Sequence, residues 1–252
     1  MLPIYATAVS GMQSSQQALD ITSNNLANVN TPGFDASDPT IEDLIYQQTD
    51  PREMVNSVTT TTLGAGSHVQ GAPRSLQPGQ PQVTGNPLDV AITGDGFLAV
   101  TQPDGTTGYT RLGAIRIDGQ GRFNVNGMVL QPAITLPANA SSPFIVANGQ
   151  VTAETPSGEQ VIGQIQLTRF INEQGMQAIG STVFAPTAAS GPPITGTPTQ
   201  PGFGALQAGT LEAARVDLSR EMTNLIISER AFGLNSRVLQ SIDAMLGDTT
   251  KR

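Results

Sequence analysis

The chain has 252 residues, with 20 acidic and 12 basic side chains, a formal net charge of −8 and Lys251 as its only lysine. That balance excludes binding to nucleic acid through a basic patch and gives no attraction to anionic lipid. With no cysteine, disulfides, thiolate zinc sites and thiol nucleophiles are excluded together.

Residues 4–30 carry a helical period. Tyr5, Ala8, Met12, Ser15, Leu19, Thr22, Leu26 and Val29 alternate in steps of three and four, the seam of a coiled coil. The seam is soft, because Ser15 and Thr22 are polar and Ala8 is small. The opposite face is neutral rather than charged, with Asp20 the only ionised side chain before Asp35. Near its end the helix gathers Asn24, Asn25, Asn28 and Asn30, although asparagine is a poor helix former. Pro32 then stops it and Gly33 takes a turn. The start of the chain has neither a positive n-region nor an apolar core, so no cleaved secretory signal is expected here. No apolar run reaches the roughly 18 residues needed to span a bilayer.

The stretch "SDPTIEDLIYQ" predicts a short helix, with Asp38 at the N-cap, Pro39 at the first position, and Glu42 and Asp43 near the positive end of the dipole. Residues 49–88, rich in Thr, Gly, Pro and Gln, predict an extended linker with short strands at most. From Leu88 to about Ala214 the pattern becomes strands and turns. "DVAI" and "FLAV" are two apolar runs around Gly94-Asp95-Gly96. "GYTRLGAIRI" and "RFNVNGMVL" predict a hairpin about a Gly-rich turn. "VIGQIQLTRFI" and "MQAIGSTVFA" predict another pair, and residues 190–204 a loop by composition.

Residues 217–246 are helical again, with Asp217 the expected N-cap and Gly247 the expected C′ residue. One apolar seam holds Leu218, Met222, Leu225, Phe232, Leu239 and Leu246. A second holds Ile227, Ala231, Leu234, Val238 and Met245. Two stripes require cover on more than one side. The N-terminal helix can cover one of them. The other stands for roughly 5–12 kcal/mol of further burial, comparable with the about 5–15 kcal/mol of a whole domain. Both helices could pack on the strand-rich segment of their own chain. The sharper expectation is burial against further copies, in a contact that repeats into a filament. Neutral amides suit such a junction, because they hydrogen-bond without the desolvation cost of a charge.

"GMQSSQQALDITSNNLANVNTPGF" resembles the N-terminal motif of the bacterial flagellar rod and hook proteins, and "SREMTNLIISERAFGLNSRVLQSIDAML" their C-terminal helix. "PLDVAITGDGFLAV", "YTRLGAIRID", "LQPAITLPANA" and "GQIQLTRFINEQGMQAIG" are similar, in order and spacing, to the distal rod members. The resemblance covers nearly the whole chain outside residues 47–75. It implies a subunit of a self-assembling helical drive shaft that carries torque from motor to hook. It also implies export through the flagellar type III apparatus, with the signal in the N-terminal region. The implied neighbours are further copies of the chain, proximal rod proteins, hook-side subunits and the P and L rings. A proximal rod or hook-type subunit is the alternative within the family. The residues carried over are packing residues: Asn24, Asn25, Leu26, Ala27 and Asn28, with the apolar positions of the last helix.

Catalytic chemistry is the weaker reading. Asp35, Asp38, Glu42 and Asp43 could pair as carboxylates for glycoside hydrolysis in a peptidoglycan-acting enzyme, but the start of a helix accounts for most of them. His68, in "GAGSHVQG", has no partner at ligand spacing and is expected in a flexible loop. That glycine-rich stretch is no phosphate loop, and "DGQGRFNVNG" lacks the acidic spacing of a calcium loop. No serine sits in a nucleophile elbow. The expectation is therefore a structural α+β protein without cofactor, metal or small-molecule substrate. Residues 1–34 and 215–252 form a discontinuous helical coiled-coil module. Residues 35–75 are a short helix and linker, and residues 76–214 an inserted β-rich domain.

Overall fold

The computed structural model describes residues 2–44, 47–48, 62–74, 79–180 and 182–249. The chain divides into two compact units, one of residues 1–27, 37–74 and 217–252, the other of residues 28–36 and 75–216. The architecture is α+β: both long helices lie in the first unit, and the second is built from strands.

In the first unit α1 (Leu2–Ala27) packs along α2 (Leu218–Thr249). They run antiparallel. Arg220, in the first turn of α2, bonds Asp38 at 3.0 Å, beside the Ser37 that Asn25 of α1 holds. Further along α2, Asn235 lies against Gly11 of α1, where an added Cβ would stand 2.8 Å from the Asn235 amide nitrogen. The buried side of α1 is made of small and neutral polar side chains: Ala8, Ser15, Ala18, Thr22 and Asn25. Interaxial distance is set by the side chains at the contact, and these let the helices approach closely. Met12, Leu19, Leu26 and Val29 of the expected seam are half-buried, and Tyr5 is exposed.

α1 ends at Ala27, before Pro32, and residues 28–33 form turns, with the Thr31 amide donating to the Asn28 carbonyl. The short helix expected from Asp38 is absent. Thr40–Asp43 is instead β1, paired antiparallel with β4 (Ser67–Gly71), while β2 (Gln47–Gln48) pairs with β3 (Thr62–Leu63). Thr40 and Ile41 are β-branched. All four β1 residues are exposed, so a helix here would have had no face to bury, which short helices require. The Asp38 amide donates to the Pro73 carbonyl instead of opening a helix. Ile45 and Tyr46 of that expected helix, and part of the expected linker, residues 49–61 and 75–78, fall outside the described residues. His68 lies on β4 opposite Glu42, in a paired strand rather than a loop.

α2 opens as its sequence predicts: Asp217 Oδ1 accepts from the Ser219 and Arg220 amides at 3.0 and 3.1 Å. Its other end differs. Gly247 is not a C′ residue but lies inside the helix, which continues to Thr249. A glycine in a helix interior costs only about 1 kcal/mol relative to alanine, so it does not by itself stop the helix.

The second unit holds β5 (Pro81–Val83), β6 (Val90–Thr93), β7 (Phe97–Thr101), β8 (Thr107–Thr110), β9 (Ile115–Ile117), β10 (Phe123–Val125), β11 (Met128–Gln131) and β12 (Ser141–Ile145). It continues with β13 (Gln150–Thr155), β14 (Gly158–Gln164), β15 (Leu167–Arg169), β16 (Gln177–Ala178), β17 (Val183–Ala185), β18 (Ile194–Gly196), β19 (Ala205–Ala208) and β20 (Thr210–Glu212). The largest sheet runs β16-β17-β8-β7-β11-β10-β9, with β15 and β18 joined to it at β7. β7 is paired along both edges and packed on both faces, so Phe97, Leu98, Ala99 and Val100 are all buried. On one face Leu98, Val100, Leu130 and Leu167 join the main core with Val90, Ile115 and Phe123. On the other, Phe97, Tyr109, Phe170 and Phe184 form a smaller aromatic cluster in edge-to-face contact.

The expected hairpin is present as β9 and β10, closed by Asp118, whose carboxylate accepts from the Gln120 and Arg122 amides. The second expected pair is not. β15 pairs with β7 and β18, whereas β16 pairs with β17. Leu167 and Thr168 are drawn into the interior beside β7, and the Asn172–Gly175 stretch turns as a 3₁₀ segment instead of closing a hairpin. The 190–204 segment is not all loop, since β18 forms an edge strand just after Pro192 and Pro193, where missing donors are tolerated.

Candidate assembly interface

On α2 the half-buried positions include Leu225, Ser228, Phe232, Asn235, Leu239 and Ile242, and Glu221 is buried. Asn235 places that row against α1. Leu225, Phe232 and Leu239 thus lie on the covered side, as the first seam predicts. Leu218 and Met222, from the same seam, are 47 % and 52 % exposed, and Leu246 is exposed at 37 %. Of the second stripe, Ala231 is half-buried, while Ile227, Leu234 and Val238 are 60 %, 60 % and 45 % exposed. Ile226, in neither predicted seam, adds to this surface. Glu229, Arg230 and Arg237 flank a shallow depression over Ile226, Gly233 and Leu234.

The asparagines divide by role. Asn25 is buried and occupied within the chain: its Nδ2 donates to the Ser37 carbonyl at 2.8 Å and its Oδ1 accepts from the Ser37 amide at 3.0 Å. Asn24 and Ala27 are exposed, and Leu26 and Asn28 are half-buried. Asn28 Oδ1 also accepts from the Thr31 hydroxyl.

In the second unit, the segment that follows α1 is joined to the one that precedes α2. Gly33 donates its amide to the Glu212 carbonyl, Arg215 donates its amide to the Phe34 carbonyl, and Asp35 and Arg215 form a parallel bridge. Gly33 sits at φ +69°, which favours glycine, and an added Cβ would stand 3.1 Å from the Leu112 backbone. A chain of buried charges underlies this junction. Arg111 Nε donates to Glu212 Oε2 at 3.0 Å, with both side chains 2 % exposed. The rest of its guanidinium donates to the Ile92, Gly94 and Gly96 carbonyls and lies over the Phe97 ring. Glu212 Oε1 accepts from the Gly79 amide and faces Arg215, which pairs with the fully buried Asp35. Burial pulls the Arg215 pKa down, and Asp35 and Glu212 oppose that shift. Two cations and two anions cancel, which makes the burial tolerable.

Residues 6–34 match the family described as flagella basal body rod protein, residues 91–153 the flagellar hook protein FlgE/F/G D1 domain, and residues 207–252 the flagellar basal body rod FlgEFG protein C-terminal. Over 97 % of both chains the sequence is 38 % identical to the flagellar basal-body rod protein FlgG of Caulobacter vibrioides. It is also 38 % identical to the FlgG of Borreliella burgdorferi, and 31 % identical to the flagellar basal-body rod protein FlgF of Escherichia coli. The chain belongs to the flagellar basal-body rod protein family. Its role is structural, as a rod subunit.

Asp35 lies in the buried charge chain and Asp38 pairs with Arg220, while Glu42 and Asp43 lie on the exposed β1. Asp118 is held by its own turn, where the Arg122 amide above all keeps its carboxyl below the ordinary value. Sequence reasoning passed over Arg111, Glu212 and Arg215. The available signal was an arginine inside an alternating strand run, "YTRLGAIRI", in a chain with few cations. A charge there must find a partner or face water.

Proposed function

We infer that the chain polymerises as a distal-rod subunit and transmits torque along a hollow helical shaft. The observation carrying this is the exposed face of α2: Met222, Ile226, Ile227, Leu234 and Val238 are each about half exposed, at 45–60 %. Completing their burial is worth roughly 4–8 kcal/mol. Further copies of the chain supply that cover, in a heterologous contact that does not close. Asn24, Leu26, Ala27, Asn28, Leu218 and Leu246 extend the interface, and Leu225, Phe232 and Leu239 hold the helix pair that presents it. Identity of 33–38 % to FlgG chains against 31 % to a FlgF chain supports the distal over the proximal assignment.

The rod crosses the periplasm, with proximal rod proteins below, hook-side subunits above, and the P and L rings around it. The chain reaches that place through the flagellar type III apparatus, using its N-terminal region. The test is assembly of purified full-length chain, followed by sedimentation and electron microscopy. Ile227→Asp or Leu234→Asp abolishes polymer while circular dichroism keeps the strand signal. Polymer of normal length from both variants overturns the interface.

A further inference from the structure

The outer face of a small sheet in the β unit is left incomplete. β12, β13 and β14 form a separate three-stranded sheet, whose inner face sends Ile145 and Val151 into the main core. Cross-strand register sets Phe144, Thr152 and Val161 side by side on the other face. Phe144 and Val161 are 38 % and 58 % exposed. Between them Thr152 Oγ1 is buried without a hydrogen-bond partner among the described residues. One row further on, Glu154 and Glu159 stand directly opposite each other, a like-charge pair that weakens a sheet. They are the only ionisable side chains between Arg122 and Arg169, so nothing in their own stretch of chain answers them. Neither edge invites an added strand, since β12 carries Pro143 and an irregular register and β14 bulges at Ile162. The face itself is what remains open.

A second surface of the same unit carries the opposite charge. Arg169 of β15 lies opposite Ile194 of β18, and Ile171, just beyond, is 78 % exposed. Of the arginines in this unit, Arg111, Arg116, Arg122 and Arg215 each have a carboxylate partner. Arg169 has none among the described residues. Its Nη1 donates to the Gly202 carbonyl and its guanidinium lies over the Phe203 ring, which holds the cation in place without neutralising it.

We propose that the β units of neighbouring copies meet through these two surfaces. The Phe144–Val161 face of one copy receives the Ile171–Ile194 edge of the next, and Arg169 answers Glu154 and Glu159. Two different surfaces are joined, so the contact repeats from copy to copy instead of closing. Pairing of the sheet face with itself would gather four carboxylates and is disfavoured. The inference rests on the polymer reading and adds to it a contact that does not use α2.

The chain has no cysteine, so cysteines introduced at exposed positions report on this contact. In full-length chain carrying Val161→Cys with Ile171→Cys, a short bis-maleimide should give a ladder of covalent multimers, and each single variant nothing beyond a dimer. Arg169→Glu should raise the concentration needed for polymer about tenfold. Adding Glu154→Arg and Glu159→Arg to Arg169→Glu should restore polymer, since the charges are then reversed on both sides. Circular dichroism checks that each variant is folded. Polymer without the ladder overturns this contact and leaves the α2 interface standing. A ladder without extended polymer supports this contact and overturns the α2 reading. Loss of both overturns both. Failure of the reversed charges to rescue assembly also overturns the proposal.

Discussion

Asn25 and Ser37 are joined by two hydrogen bonds at once, so a side chain of α1 pairs with the backbone of another segment as a strand neighbour would. Both polar atoms of the buried amide are satisfied, and the chain beyond the turn is fixed to the helix it has just left. This explains one member of the asparagine cluster: only a neutral carboxamide offers a donor and an acceptor in that geometry.

Asn25→Ala therefore leaves the Ser37 amide and carbonyl without these partners, at about 1–3 kcal/mol for each group that water does not reach. Asn25→Asp keeps the acceptor but sets a carboxylate against the Ser37 carbonyl. Chemical denaturation followed by helical circular dichroism should show a lower midpoint for both. Unchanged midpoints would mean that the two bonds contribute nothing.

The buried charge chain makes a different prediction. Removing one partner, as in Glu212→Gln, leaves Asp35 as the one anion against Arg111 and Arg215, so one buried positive charge is uncompensated, and destabilises the β unit by about 3–5 kcal/mol. Replacing both members of the central pair, Arg111→Met with Glu212→Leu, removes the need for compensation and costs less than the sum of the single changes. Denaturation of the four members of this cycle measures the coupling. Strict additivity would show that the pair acts as two independent surface charges.

What could be read from the sequence follows how local each feature is. Leu225, Phe232 and Leu239 recur at heptad spacing, and Asp217 caps its own helix, so neighbouring residues suffice to predict both. The β9–β10 hairpin is equally local. Thr40–Asp43 carried a helix-start signal from Asp38 and Pro39, and pairing with a strand more than twenty residues away outweighed it. β15 departs from the expected pairing for the same reason: its partners β7 and β18 lie on either side of it in the chain but not next to it. The charge chain links Asp35 to Arg111 through Arg215 and Glu212, a relation that no local window contains.

Glu173 gives the protein a pH dependence. Burial raises its carboxyl above the ordinary 4.5, with Asp95 adding to the rise and Arg111 and Arg215 opposing it. For a carboxyl raised on folding, the contribution to stability is full below the unfolded value and is lost as pH rises through the folded one. Glu173→Gln removes that loss. The variant should therefore gain in Tm relative to the parent between about pH 4 and 7, with the difference levelling off above the folded pKa. A difference that is flat over that range would refute the burial of this carboxyl.

Two glycines separate a yielding contact from a fixed one. At Gly11 an added methyl would meet the end of the Asn235 side chain, which can swing aside, with the Asn235 Cγ at 3.2 Å behind it. Gly11→Ala should therefore change stability little, because the better helix propensity of alanine offsets a small shift. Gly11→Leu forces α1 and α2 apart. At Gly113 the methyl would run into the Val90 carbonyl oxygen, a backbone group of β6 whose own amide donates to the Gly113 carbonyl. Gly113→Ala should thus cost at least about 3 kcal/mol and lower the unfolding midpoint of the β unit. The two alanine variants, compared by thermal unfolding with separate helix and strand signals, should differ by more than about 2 kcal/mol. Equal effects would mean that the close approach at Val90 relaxes as easily as a side chain does.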